Sequence, residues 1–429
     1  MDFYEHLKKY LSETEIEKLN SEINKKAKKS LIINTNKTDD SFILSHFNNL
    51  IPHPLVPHCY LYNEDEYQLG KHIFFEQGLY YIFEPCSALV NYILSPNEND
   101  LVLDLCASPG GKTSHLAILK KQKGIIISNE ISKDRCLILS SNVERMGFKN
   151  VIVTNNSIDD FKDFENCFDK IILDAPCSGS GMFRKENKML LDWSYNKVTT
   201  LSSLQKELIN KAYQLLKPGG KLVYSTCSFS YEEDEEVIQD LLNKTDAILE
   251  DIPDHPMFFK SSSKIGIHLF PFLFPGEGHY ICLIKKPGTL EQNAQEKNIS
   301  SLEFSKIEKI CNVKGYIFEK NNTYYLLPEK FNFKNLKVIR GGVKLGTNEK
   351  YGFDFDHALS HYLTSFPYQI ELNQEQAKLY LSGNSFHVDS QDGIVLLSYL
   401  NNPLGFGKIT KGRLNNKYPK GLRRTNIIL

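Results

Sequence analysis

At 429 residues, with 41% hydrophobic and 24% charged side chains, the chain is too long for one ordinary domain and can bury more than one core. Its 51 Lys and Arg against 52 Asp and Glu leave no bulk basic field, so nucleic-acid binding must come from local patches. Nine scattered cysteines form no C-x-x-C pair, which disfavours a zinc ribbon or a thioredoxin motif, and no apolar run approaches the roughly 18 residues of a membrane span. The charged, helix-periodic start is unlike a signal peptide. The expectation is therefore a cytoplasmic chain with free thiols, no membrane partner and no metal.

Phe3, Leu7, Leu11, Ile16 and Leu19 are spaced as the apolar face of one opening helix. Two Pro-bearing stretches follow, "IPHPLVPHCYLYN" and "FEPCSALVNYILSP", and residues 1–95 read as a small RNA-binding-type α/β domain. From 96 to 287 the pattern changes. "LVLDL", "GIIIS", "VIVTN", "KIILD" and "KLVYS" are nearly unbroken apolar runs, suited to strands buried on both faces of a parallel sheet. Helical segments at 112–121 and 200–216 separate them, the second stopped by "KPGG". "IHLFPFLFP" and "GHYICLIKK" flank "GEG" as a hairpin. The fold expected is a doubly wound, Rossmann-like α/β sheet, whose ligands sit at the carboxyl ends of its strands. Residues 288–300 read as a polar linker. Residues 301–429 form a mixed β region ending on a basic tail, with seven Lys or Arg and no acid at 408–424.

The chemistry gathers at the strand ends. "DLCASPGGKT" (104–113) follows the first strand, and Gly110 and Gly111 permit close approach of a ligand to a helix N-terminus. Cys106 stands where a Walker loop needs Gly, so a nucleoside triphosphate is disfavoured. Glu130 ends the next strand, placed to accept ribose hydroxyls, although a solvated loop acid looks the same in sequence. Asp174 ends the fourth strand, able to orient a bound base or merely to cap the "SGSG" turn. Cys177 follows it behind Pro176, and Cys227 ends the fifth strand. A lone buried cysteine is usually core filler, but two at the ligand end of one sheet suggest more. Ser230 and Glu233 read as a capping box, with the acid run favouring a first helical turn.

"DLCASPGGKT", "LDAPCSGSG" (173–181) and "YSTCSFSYEEDE" (224–235) resemble the signature segments of the Sun-type (NSUN) RNA cytosine-C5 methyltransferases. "YYIFEPCSALV" (80–90) resembles their N-terminal signature, with Phe83 in place of Gln. "VIRGGVKLGTNEKYGFDFDHALS" (338–360) and "PLGFGKITKGRLNNKYPKGLRR" (403–424) resemble the RsmF branch, whose members act on bacterial small-subunit rRNA and carry a PUA-like tail. The match runs from about residue 40 onward.

The resemblance implies a class I methyltransferase using S-adenosyl-L-methionine to form 5-methylcytosine, in 16S rRNA near the decoding region. A tRNA substrate, or a catalytically weak ribosome assembly factor, is the alternative. It implies Cys227 as the nucleophile adding to cytosine C6, Cys177 as the aid to product release, and Asp174 as the group that protonates or hydrogen-bonds the base. The cofactor set it implies is Cys106, Ala107, Ser108, Pro109, Gly110, Gly111, Lys112, Glu130, Arg135 and Asn156, with Asp174; Asn156 replaces an acid and keeps an acceptor for the adenine amino group. Lys408, Lys411, Arg413, Lys417, Lys420 and Arg423 are the expected phosphate contacts, the alternative being a solvated basic end. The partner is small-subunit rRNA or the 30S subunit, and a monomer is expected.

Overall fold

The five apolar runs form the centre of one sheet because each is buried on both faces and so must be covered by helices on either side. In the computed structural model, which describes residues 2–184, 188–290, 313–350 and 352–429, this sheet has nine strands. They are β1 (Leu101–Asp104), β2 (Ile125–Asn129), β3 (Val151–Thr154), β4 (Phe168–Asp174), β5 (Leu216–Thr226), β6 (Ile248–Glu250), β7 (Ile267–Leu269), β8 (His279–Lys285) and β9 (Val338–Gly341). Their order is β6-β8-β5-β4-β1-β2-β3-β9, with β7 paired to β8. β5, β4, β1, β2 and β3 run parallel; β6, β7, β8 and β9 pair antiparallel. The order reverses between β1 and β4, which opens a crevice at their carboxyl ends.

Helices α1 (Gly111–Leu119), α2 (Lys133–Met146), α3 (Tyr195–Leu215) and α4 (Glu235–Lys244) cross between these strands. "KPGG" does not end α3 before a fresh strand. It is an excursion inside β5, where the register with β4 jumps from Phe168↔Leu216 to Lys170↔Lys221 and Gly219 takes φ +78°.

Three features depart from the sequence reading. The opening helix is two helices, Phe3–Leu7 and Glu13–Ile23, because Ser12 and Glu15 form a capping box that starts the second. Both pack on Phe183, Trp193, Phe229 and Phe270 of the central unit, not on the strands that follow them. Those strands (29–33, 51–52, 59–62, 80–83) form an antiparallel sheet, which shares one hydrophobic core with Leu372, Tyr380, Val395, Leu397, Leu404 and Leu414 of the C-terminal region. Finally, β9 comes from beyond the expected linker and closes the edge of the central sheet through its pairing with β3. The central sheet therefore draws on residues past 287. Most of the expected linker, 291–300, lies outside the described residues.

The C-terminal region holds a four-stranded sheet (316–320, 323–327, 343–349, 352–355) and a five-stranded one (369–371, 386–387, 393–399, 402–410, 413–416). Among the described residues no helix is long and apolar enough to cross a membrane.

Candidate active site

The crevice collects side chains from the ends of β1, β2, β4 and β5. After β4, Ala175 continues the sheet by donating its N–H to Ser225 O at 2.8 Å, and Gly181 N–H donates to Cys227 O at 2.8 Å, so the two cysteine loops run side by side. Cys177 Sγ and Cys227 Sγ lie 3.1 Å apart, both half-buried free thiols. That is hydrogen-bond contact, well outside the about 2.05 Å of a disulfide. The bond to Cys227, and then burial, push the Cys177 thiol well above the ordinary thiol range. Either thiol can donate to the other across this contact.

Asp174 stands beside them. Its Oδ2 accepts from Lys112 Nζ at 2.8 Å, its Oδ1 accepts from Ser225 Oγ at 2.8 Å, and His279 Nε2 lies 3.4 Å from Oδ1. Burial alone would raise this carboxyl, but Lys112 and His279 outweigh it and hold Asp174 below the usual carboxylate range. Burial would likewise lower Lys112, and Asp174 more than offsets it, keeping the ammonium above its usual value. The sequence groups Lys112 with the cofactor loop. The structure turns its amine to Asp174, itself a member of that expected set, and to Ser87 Oγ, 3.4 Å away. His279 was not foreseen. It opens β8 directly after the "GEG" turn, and only the pairing of β8 with β5 brings it here.

The loop after β1 is pinned from several sides. Ala107 N–H donates to Asn129 O at 2.9 Å; Ser108 Oγ donates to Arg135 O at 2.9 Å, and Arg135 Nη2 donates back to Ser108 O at 3.1 Å. Asn142 Nδ2 donates to Pro109 O at 2.9 Å. Burial, with Asp174 and Asp104 nearby, pushes the Cys106 thiol far up, so it is not a reactive thiol. Gly110 caps α1 with φ +110°, which a side chain adopts only under strain. A Cβ on Gly111 would stand 3.4 Å from Tyr81 and 3.5 Å from Phe83, in ordinary van der Waals contact.

Glu130 is 3% exposed; Oε1 accepts Ser132 N–H at 2.9 Å, and Oε2 lies 3.5 Å from Arg135 Nη2. Arg135 thus stands beside the acid as a counter-charge. Asn156 Oδ1 accepts Lys337 N–H at 3.0 Å, and its Nδ2 donates to Asp160 Oδ2 at 3.1 Å. The side chain knits β3 to the segment entering β9, and its oxygen keeps a second lone pair.

The Ser230–Glu233 capping box does not form. Helix α4 is capped by Asp234 and begins at Glu235, Ser230 Oγ has no partner, and the Glu233 carboxyl turns inward. Of the basic residues, Lys408 and Arg413 lie on one exposed face of paired strands, opposite Asn415 and Thr410. Lys411, Lys420 and Arg423 are exposed too, while Lys417 is bound to Asp354. One group of potential metal ligands exists among the described residues, the buried Asp234, Glu235 and His268. There His268 Nε2 meets Glu235 Oε1 at 3.0 Å and Thr226 Oγ1 donates to Asp234 Oδ1 at 2.6 Å, an internal polar network. A cavity of about 440 Å³ lies elsewhere, where Arg340, Lys344 and Lys417 pair with Glu144, Asp356 and Asp354.

The family described as 16S rRNA methyltransferase RsmB/F matches residues 91–285, and that described as the methyltransferase RsmF PUA domain matches 367–424. The ribosomal RNA small subunit methyltransferase F of Shewanella piezotolerans is 33% identical over 395 residues, spanning 85% of this chain and 83% of the relative. That of Psychromonas ingrahamii is 31% identical over 388 residues, spanning 81% and 80%. Among solved structures, a methyltransferase homologue from Pyrococcus horikoshii superposes with TM-score 0.59 at 29% identity, over 66% of this chain and 93% of its own. NSun6 from the same organism, solved with SFG, gives TM-score 0.60 at 21% identity over 67% and 98%, a likeness of fold.

Proposed function

This chain belongs to the RsmB/F family of 16S rRNA methyltransferases, and from that premise we propose the roles of its residues in the S-adenosylmethionine-dependent formation of 5-methylcytosine in 16S rRNA. The observation that carries the reading is the 3.1 Å approach of the Cys177 and Cys227 sulfurs beside the Asp174–Lys112 pair. Cytosine C5 is a weak carbon nucleophile, and a thiolate bonded to C6 makes it enamine-like. Cys227 adds to C6. Lys112 and Asp174 form an ion pair facing the base, the ammonium offering protons and the carboxylate accepting from the exocyclic amine, so charge that builds on the ring meets fixed partners. Since Asp174 is held ionised, it hydrogen-bonds the base rather than protonating it. Once Cys227 is bonded to carbon and the methyl group is on C5, Cys177 gives its proton to solvent and the resulting thiolate takes the C5 proton. The C5–H electron pair forms the C5–C6 double bond, and the Cys227–C6 bond breaks to return Cys227 as a thiolate and release the methylated base. The target must be unpaired or flipped for C6 to be reached.

The residues present fit the cofactor: the 106–111 loop leaves backbone open at a helix N-terminus, and Glu130 offers a buried, pre-oriented carboxylate. When bound, S-adenosylmethionine supplies an electrophilic methyl group. Calorimetry on Glu130→Ala should show cofactor affinity lowered by more than about 1 kcal/mol, roughly fivefold in Kd. Equal affinity would remove Glu130 from the pocket.

The exposed strand face of Lys408 and Arg413, with Lys411 at its turn, is the surface we assign to RNA phosphates. Replacing all three with Gln should weaken RNA binding and lower the slope of log affinity against log salt by about 2 to 3. An unchanged slope would make this a solvated face. Bisulfite sequencing of rRNA and tRNA from cells with and without the gene tests the substrate. A cytosine near the decoding region of 16S rRNA should lose its methyl group; loss at a tRNA position, or no loss anywhere, would replace this reading with tRNA modification or an assembly role. The chain is proposed to act as a monomer without a metal.

A further inference from the structure

Glu233 is fully buried, and its carboxyl group meets four donors and no acceptor. Oε1 accepts Ser178 N–H at 2.8 Å and Gln205 Nε2 at 3.1 Å; Oε2 accepts Ser178 Oγ at 2.5 Å and Ser228 Oγ at 2.6 Å. Ser178 follows Cys177 and Ser228 follows Cys227. Gln205 also donates to Pro176 O at 2.8 Å, one residue before Cys177. Tyr224 OH fixes the other end of the device by donating to Glu233 O at 2.6 Å from within β5. The other acids of the run are directed elsewhere: Glu232 to His6, Asp234 to Thr226, Glu235 to His268, Glu236 to Lys206.

We infer that Glu233 is a positioning residue that locks the Cys177 and Cys227 loops in register, so that both sulfurs address the same pyrimidine through addition and release. The inference rests on the thiol roles proposed above. Glu233 touches neither the sulfurs nor the space between them; it acts through the residue that follows each cysteine. Addition requires Cys227 at C6, and release requires Cys177 within reach of the hydrogen on the adjacent C5. Three of the four donors belong to the Cys177 loop or hold it, so losing Glu233 displaces Cys177 more than Cys227. A shift of about 1 Å there costs release more than addition, on the order of 10²-fold for a misplaced group.

The test compares Glu233→Ala and Glu233→Gln in the full chain, with S-adenosylmethionine and a 16S rRNA fragment bearing the methylated site. Two quantities are read from the same reaction: labelled methyl groups on released RNA, and RNA retained on protein in a denaturing gel. In Glu233→Gln the amide oxygen can keep Ser178 N–H and Gln205, while its NH₂ donates to the two serine hydroxyls, which rotate to accept. Gln should therefore hold the ratio of adduct to product within about threefold of wild type, and Ala should raise it at least about tenfold. A role in stability alone lowers the active fraction and leaves that ratio unchanged. If Glu233→Ala fails to fold, the pair Ser178→Ala with Ser228→Ala removes the Oε2 contacts only and should raise the ratio by a smaller factor. An unchanged ratio in these variants beside an active wild type overturns the inference alone, as does Gln behaving like Ala, which would make charge the agent. A wild type giving neither product nor adduct overturns the thiol roles and this inference together.

Discussion

Cys177→Ala should accumulate methylated RNA joined covalently to Cys227, while Cys227→Ala should show neither methylation nor adduct, its turnover falling on the order of 10⁴-fold or more. The two sulfurs sit in contact, so distance does not separate their roles; the motif resemblance assigns attack to Cys227 and release to Cys177. Removing Cys177 keeps the attacking sulfur, so addition and methyl transfer proceed and elimination stalls. The adduct would appear on denaturing gels as a shifted band abolished by ribonuclease. Packing roles for both cysteines predict two destabilised variants and no trapped RNA. An adduct in Cys227→Ala, or retained turnover there, would reverse the assignment.

The strands that build the crevice were legible because a strand buried on both faces is written as an apolar run, and the motifs at the carboxyl ends are contiguous in sequence. What could not be read depends on partners distant along the chain. β9 carries no long apolar run, since only its pairing with β3 makes it part of this sheet. Lys112 lies within a motif that suggests cofactor binding, yet its four-carbon stem carries the amine to Asp174, 62 residues away. Ser230 and Glu233 have the spacing of a capping box, but a buried carboxyl can exchange one local bond for four bonds to the cysteine loops. The bond from the Lys337 backbone to Asn156 Oδ1 joins residues 181 positions apart, which no local pattern signals. His279 had no local signal beyond a polar residue opening an apolar strand.

Asp174→Asn should lower kcat by about 10² to 10³-fold, the loss typical of one fixed electrostatic partner in a water-poor site. The neutral amide no longer balances Lys112, whose side chain is 10% exposed, so the ammonium loses its anchor as well as its counter-charge. Cofactor affinity measured alongside separates the two places the sequence assigns to this residue. A fall confined to kcat puts Asp174 on the base, and a matching fall in cofactor binding puts it in the other pocket.

The pH dependence has a definite sign. Asp174 has a folded-state pKa below its unfolded value, so its stabilising contribution is present above the ordinary carboxylate range near about 4 and is lost as pH falls through the lower folded value. Wild-type kcat should therefore show no acid limb from this group between about pH 5 and 9. The unfolding free-energy gap between wild type and Asp174→Asn should be constant across that range and shrink in acid. Breaking a buried pair costs about 3 to 5 kcal/mol, and the 30% exposure of the Asp174 side chain reduces the expectation here to about 2 kcal/mol. Adding Lys112→Met removes the stranded ammonium, so the double variant should recover part of the stability and none of the activity. Recovery of turnover in the double variant, or a stability gap that widens in acid, would show that the Lys112–Asp174 pair serves packing and not the base.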